Sequence, residues 1–242
     1  MKIVHFELSG RFGHFLRAEA NRDMPSYPIP PRTAVLGLIG AILGLTKDSP
    51  QILLEPAHIA VKGVLPEKFW ITNKFHQTLP AQLPYEVKKS MRGTNKDLKN
   101  PKMLKQEWLF NPKYELWISL PDEYHSDFAD RIKNRRWHFS PCLGISEHTA
   151  NLKWLGEYKG VKLPQNEYEI SSILPKNAVE INMDKIFEFG KNIALHHISM
   201  PCSVLGDRIF NHQNYYFERN GKAISVVTDR AISAGQSNIV FM

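Results

Sequence analysis

Three histidines, His14, His138 and His148, stand close to basic or aromatic neighbours in a chain that holds ten histidines in all. Imidazole titrates near neutrality, so each is a candidate for general acid–base work on RNA. A structural or solvated role is the commoner use of a lone histidine. His196 and His197 are adjacent, so on a strand they point to opposite faces and do not share a ligand set. The chain has no Walker A, HExxH, GxSxG or CxxC pattern. Asp122, Glu123, Asp127 and Asp130 share a helical stretch, where acids at a helix start explain them more simply than a metal does. Cys142 and Cys202 are the only cysteines, too few for a disulfide scaffold or a four-cysteine zinc site. No metal or cofactor site is read from these residues.

Cations interleaved with aromatics are the stronger signal. Arg11, His14, Arg17, Arg22 and Arg32 surround Phe12, Phe15 and Tyr27. Such sets neutralise phosphates and stack on unpaired bases. Gly10 and Gly13 form a GxxG within this stretch. The pair is either a turn or a place where backbone approaches a phosphate chain, and the turn is the commoner case. Further on, Lys88, Lys89, Arg92, Lys96, Lys99, Lys102, Lys105 and Lys113 are opposed only by Asp97 and Glu107. That segment carries +6 of the chain's net +7. One local cluster of charge points to a polyanion partner more than to general solubility. A third basic group, Arg135 and Arg136 beside Trp137 and His138, either suits a helix C-terminus or meets a phosphate.

These residues need a scaffold, and 242 residues with 43% hydrophobic content can bury a core without staples. An acid, Glu7, sits inside what would be the apolar core of a signal peptide, so the expected location is cytoplasmic and reducing. The apolar run 34–45 is far shorter than the roughly 20 residues that span a bilayer, and no membrane partner is expected.

The elements are read in chain order. Residues 2–8 fit a first strand. The prolines at 28, 30 and 31 stiffen the approach to a helix with Thr33 as its N-cap and Leu36, Ile39 and Leu43 on one face. Gly37, Gly40 and Gly44 each cost that helix roughly 0.8–1 kcal/mol against Ala, so one flat face in close contact is expected. Strands are expected over 58–65, 68–75 and 108–120, with a helix from 121 to 136. Residues 77–106 lack apolar periodicity and are too long for an ordinary connection. The order β-α-β-β-(insertion)-β-α needs one more strand to complete a ferredoxin-like, RRM-like plan. Beyond residue 140 the texture is strand-rich. Asn220-Gly221 between β-rich runs predicts a type I′ hairpin. The fold class is therefore α+β: a ferredoxin-like domain over 1–139 with a basic insertion at about 77–107, then a β-rich region over 140–242.

Two stretches carry a family resemblance. Residues 9–15 (SGRFGHF) with 26–33 (SYPIPPRT) and 37–44 (GLIGAILG) resemble the N-terminal signature of the fifth CRISPR-associated protein family. Residues 141–147 (PCLGISE) resemble that family's internal proline–x–leucine–glycine–x–serine–glutamate segment. The flavour is most similar to the type I-B branch.

The resemblance implies a non-catalytic subunit of Cascade, the RNA-guided surveillance complex. Such a subunit has an RRM-like domain with a β-hairpin thumb. It caps the 5′ handle of the CRISPR RNA and abuts the first backbone subunit and the large subunit. Target DNA is met only through the complex. By that analogy the run 88–113 is the thumb, and Arg11, His14, Arg17, Arg22, Tyr27 and Arg32 lie near the handle. The type I-C branch cuts precursor RNA itself, and the alternative function is such a metal-independent endoribonuclease. This chain has no Lys-His pair after the thumb.

Overall fold

The computed structural model describes residues 1–75, 84–94, 102–187, 192–205 and 209–242. Its centre is a four-stranded antiparallel sheet built from β1 (Lys2–Ser9), β2 (His58–Gly63), β5 (Lys113–Ser119) and β6 (Asn151–Lys159). The spatial order is β2-β5-β1-β6. Two helices, α1 (Arg32–Leu43) and α3 (Asp122–Asn134), each follow one strand and return the chain to the sheet's far side.

Strand periodicity decides what each face holds. Val4, Phe6, Leu8, Ile59, Val61, Leu116 and Ile118 point to one face and join the main core with residues of α1 and α3. Ile3, Ala60 and Trp117 point to the other face, where Ile232, Ala234 and Ile239 from the last strands cover them. The sheet is thus buried on both sides.

Helix α1 buries Val35, Leu36, Ile39 and Ile42. Each contributes about 1.5–3 kcal/mol, more than the two interior glycines remove. The three glycines do different jobs. A Cβ at Gly40 would stand 2.2 Å from Pro50 Cγ. Gly44, with φ of +81°, is the left-handed C-cap, its N–H donating to the Gly40 carbonyl. Gly37 is exposed and has nothing within 4 Å of its Cβ position. Thr33 is not the N-cap. Pro31 holds that place without any side-chain cap, its φ of −66° already suited to the turn.

The stretch expected as one strand over 108–120 is two. Asn111 takes a positive φ of 46° and Pro112 follows, which ends β4 (Lys102–Phe110) and turns the chain into β5. Strand β4 pairs with β3 (Glu67–Phe75) through nine register positions, from Glu67–Phe110 to Phe75–Lys102. At about 3.4 Å per residue this arm is about 27 Å long. Within the basic insertion expected at about 77–107 lies α2 (Tyr85–Thr94).

The expected hairpin at Asn220-Gly221 does not form. β9 (Phe210–Glu218) pairs with β8 (Leu195–Val204), whereas β10 (Ile224–Thr228) pairs with β7 (Asn166–Ile170) in another sheet. Only Gly221 of the two turn residues has a positive φ, and a type I′ turn needs both. The Glu218 carboxylate, almost wholly buried, accepts bonds from the backbone N–H groups of Asn220, Lys222 and Ala194. It thereby fixes a wider turn that hands the chain from one sheet to the next.

The glycine assignments make opposite predictions. Gly37→Ala should raise unfolding stability by roughly 0.8–1 kcal/mol, whereas Gly40→Ala should lower it by about 1–3 kcal/mol through overpacking on Pro50. Urea denaturation of both variants checks this; equal signs would refute the assignment.

Candidate nucleic-acid interface

The two signature stretches meet in space. Gly144 has φ of +93°, and a Cβ there would stand 1.9 Å from the His14 carbonyl oxygen. The His14 N–H donates to the Leu143 carbonyl at 2.9 Å. Gly10 and Gly13 face the same partner: a Cβ at Gly10 would be 2.5 Å from Leu143 Cδ1, and one at Gly13 3.4 Å from Leu143 Cβ. The GxxG is therefore a packing seam between chain segments, not a cradle open to phosphate.

The arm is rooted in this seam. Phe12–Gly13 pairs with β4 at Phe110 and Leu109. Glu107 ties the root together. Its carboxylate accepts from Ser26 N–H at 2.9 Å and from Lys68 Nζ at 3.1 Å, while its carbonyl bonds His14 Nδ1 at 2.8 Å. The edge of Trp108 meets the His148 ring at 4.4 Å, and Phe12 packs beside both. His148 is 3% exposed and its Nε2 has no partner among the described residues. Burial, and then the charge of His14, hold its pKa below the ordinary 6.5.

The expected contact residues separate into three groups. Some are buried in structural work. His14 is 1% exposed and committed to Glu107. Tyr27 is 0% exposed, its hydroxyl donates to Glu19 at 3.0 Å, and burial with that carboxylate pushes its pKa up to about 12. Arg32 is 7% exposed and donates to the carbonyls of Cys202, Glu55 and Ala57. These three were expected beside RNA; each faces the interior instead, His14 and Arg32 bonding backbone carbonyls that would otherwise be unsatisfied and Tyr27 packing its ring in the main core.

A second group is on the surface but partly engaged. Arg11 is exposed and lies 5.3 Å over the Phe12 ring. Arg135 caps α3 in left-handed conformation and donates to Asn151 at 3.1 Å. Arg136 is paired with Asp130. His138 packs on the Gly44 backbone, its own N–H bonding the Ile42 carbonyl. Exposed Arg22 and half-buried Arg17 flank the loop before Ser26. Arg17 lies 5.5 Å over the Tyr27 ring, and among the described residues it makes no hydrogen bond or ion pair through its side chain.

The third group belongs to the far end of the arm. Lys89 is exposed on α2, and Lys88 is half-buried on the same helix. Arg92 lies on that helix too. Lys96 and Lys99 lie outside the described residues. Glu107 and Lys68 were not singled out in the sequence. Their signal was available: one acid within a run of cations, and one lysine among strand residues.

Among the described residues no group of three or more His, Cys, Asp or Glu side chains is placed to hold a metal ion. No helix among them is long and apolar enough to cross a membrane.

The family model described as CRISPR-associated protein (Cas_Cas5) matches residues 3–194. The chain belongs to this family. A solved chain titled "CRISPR RNA-guided surveillance complex" superposes with a TM-score of 0.56 at 12% identity, covering 92% of this chain and 91% of that one. A CRISPR protein from Archaeoglobus fulgidus gives 0.55 at 13% identity, with 99% and 98% covered. At such identity the likeness is one of fold. No curated protein sequence matches the chain. In this family member both signature stretches lie at the root of the arm, so the motif that identifies the family is first a packing motif.

His148 also sets a pH dependence. Its folded pKa lies below its ordinary value, so the unfolded chain takes up the proton first, and the stabilisation present above about pH 6.5 is lost as pH falls. His58, lowered by burial and then by Arg32, acts in the same direction. Unfolding free energy should drop between neutrality and about pH 5.5, and His148→Phe should flatten part of that drop. An unchanged slope in the variant, read by urea titration at each pH, would contradict the assignment.

Proposed function

We propose that this family member is a non-catalytic, RNA-binding subunit of a type I Cascade, of the I-B kind, gripping the 5′ handle of the CRISPR RNA. In this reading the central sheet with α1 and α3 is a ferredoxin-like domain, since its strand order β2-β5-β1-β6 and its two crossover helices follow that plan. The β3–β4 pair is the thumb, and the chain beyond β6 supplies the β-rich region. The backbone and large subunits of the complex are the protein partners, and target DNA is met through them.

One observation carries the reading. The register pair Phe75–Lys102 closes the arm, so residues 76–101 leave and return at its tip. The core touches the other end, where Phe12–Gly13 pairs with β4 and Met24 exchanges backbone bonds with Lys105 and Glu107. The basic cluster from Lys88 to Lys99 thus lies within the segment that joins the two strands at the end away from that root. There it can neutralise phosphates without disturbing the packed seam.

Replacing Lys88, Lys89, Arg92 and Lys96 together by Ala should weaken CRISPR RNA binding and flatten its salt dependence by roughly three in log–log slope, near 0.7 per lost contact on a single strand. Fluorescence anisotropy over a salt series reads both. Unchanged affinity and slope would remove the arm from the interface.

A further inference from the structure

The two edges of the central sheet are finished differently. The outer side of β2 is closed: the Val61 carbonyl accepts from Ile173 N–H and the Ile59 carbonyl from Met242 N–H, both at 2.8 Å. At the other edge β6 pairs with β1, and among the described residues no strand pairs with its outer side. Where this open edge meets the end of α3, a cleft of about 350 Å³ forms, with Ile132, Lys133, Arg135, Lys153 and Trp154 in its walls. We propose that the edge takes up an extended acidic segment of a neighbouring protein subunit, added as a short strand beside residues 151–154. The inference rests on the reading of the chain as a subunit of a multi-protein complex.

Charge and main-chain chemistry together select this occupant. Lys133, Arg135 and Lys153 are exposed, and among the described residues no carboxylate pairs with any of them. Arg135 donates to the Asn151 side-chain oxygen at 3.1 Å. Lys153 stands across the ladder from Glu7, whose carboxylate is taken by Lys113 at 3.0 Å. On α3, Asp127 and Asp130 are held by Arg131 and Arg136. Three uncompensated cations thus border an unpaired strand edge. An acidic strand answers both features, its main chain bonding the edge and its carboxylates supplying the counter-charge.

The geometry also restricts its sequence. Leu152 joins the main core with Ile132 of α3, so Lys153 projects from the opposite face of the sheet to Lys133 and Arg135. An added strand needs an acid on each face, which means two adjacent acids. Half-buried Trp154 supplies an apolar floor. The ladder shifts register at Leu155, between the His5–Gly156 and Phe6–Trp154 pairs, and this ends the regular edge. A second copy of the chain is a poor occupant, because it would bring lysine against lysine, the usual guard against self-pairing. A nucleic acid has the charge but no peptide backbone to match the edge, and Trp154 is packed against the core instead of presented for stacking.

Zero-length cross-linking tests the assignment. The complex reconstituted from its protein subunits and CRISPR RNA is treated with a carbodiimide, which condenses a lysine amine with a carboxylate in contact. Mass spectrometry should find Lys133 or Lys153 joined to a pair of adjacent acids on another protein subunit. Amide exchange over 151–154 should be roughly tenfold slower in the complex than in the isolated chain. Lys133→Glu combined with Lys153→Glu should weaken retention of that subunit roughly tenfold, with circular dichroism showing the variant folded, and exchanging the two partner acids for lysine should restore it. An assembled complex with no such cross-link and unchanged exchange overturns the edge and leaves the subunit reading standing. So do cross-links solely between two copies of this chain, or slowing of the same amides by single-stranded RNA added to the isolated chain. A chain that assembles with no protein subunit overturns the edge and the subunit reading together.

Discussion

The close approach of Gly144 to His14 is the constraint on which the interface depends. With 1.9 Å between the site of a Cβ and the His14 oxygen, only glycine allows the 141–147 turn to lie flat on the 10–15 loop. That contact orients His14, whose ring bonds the Glu107 carbonyl. Glu107 in turn holds Ser26 and Lys68. A chain of short contacts thus runs from a turn after α3, through the first loop, to both strands of the arm. The arm's direction is fixed by backbone packing, and the charges at its far end are carried by it.

This arrangement separates residues that build the interface from those that present it. A guanidinium buried with only carbonyl partners, as at Arg32, is held by the hydrogen bonds it satisfies and is costly to expose or remove. Arg17 lies only 15 residues earlier and is half-buried against the Tyr27 ring, and among the described residues no acid engages it. Both are arginines among aromatics, and composition treats them alike. Their partners make one a structural strut and the other a free charge.

The sequence disclosed the elements more readily than their roles. Alternating apolar residues placed β1 and β2, and acids followed by basics placed α3. These signals survive because each depends on residues close in the chain. The errors came from particular side-chain partners and breaks that composition does not reveal. Asn220-Gly221 has the composition of a tight turn, but the buried Glu218 carboxylate recruits three backbone donors and opens it. Tyr27 and His14 look like stacking and acid–base residues, and both are consumed by contacts with Glu19 and Glu107. Trp108 was read as the start of one strand because Asn111 and Pro112, which break it, are short and easily overlooked. The family resemblance was legible because glycines at close approaches leave a fixed mark in the sequence, even when their partner is more than a hundred residues away.

The division of charge follows from the same geometry. Cations packed around the seam would face Arg32 and one another in a region of low dielectric, where like charges repel more strongly than in water. In the segment beyond the Phe75–Lys102 pair, charges outside the packed core interact across solvent that screens them over about 8–10 Å at physiological salt. The core loses little stability by carrying them. A flexible polyanion is attracted from a distance by the arm, where the field is strong and specificity low. A two-stranded arm anchored at one end by Glu107 carries this charge without placing it inside the fold.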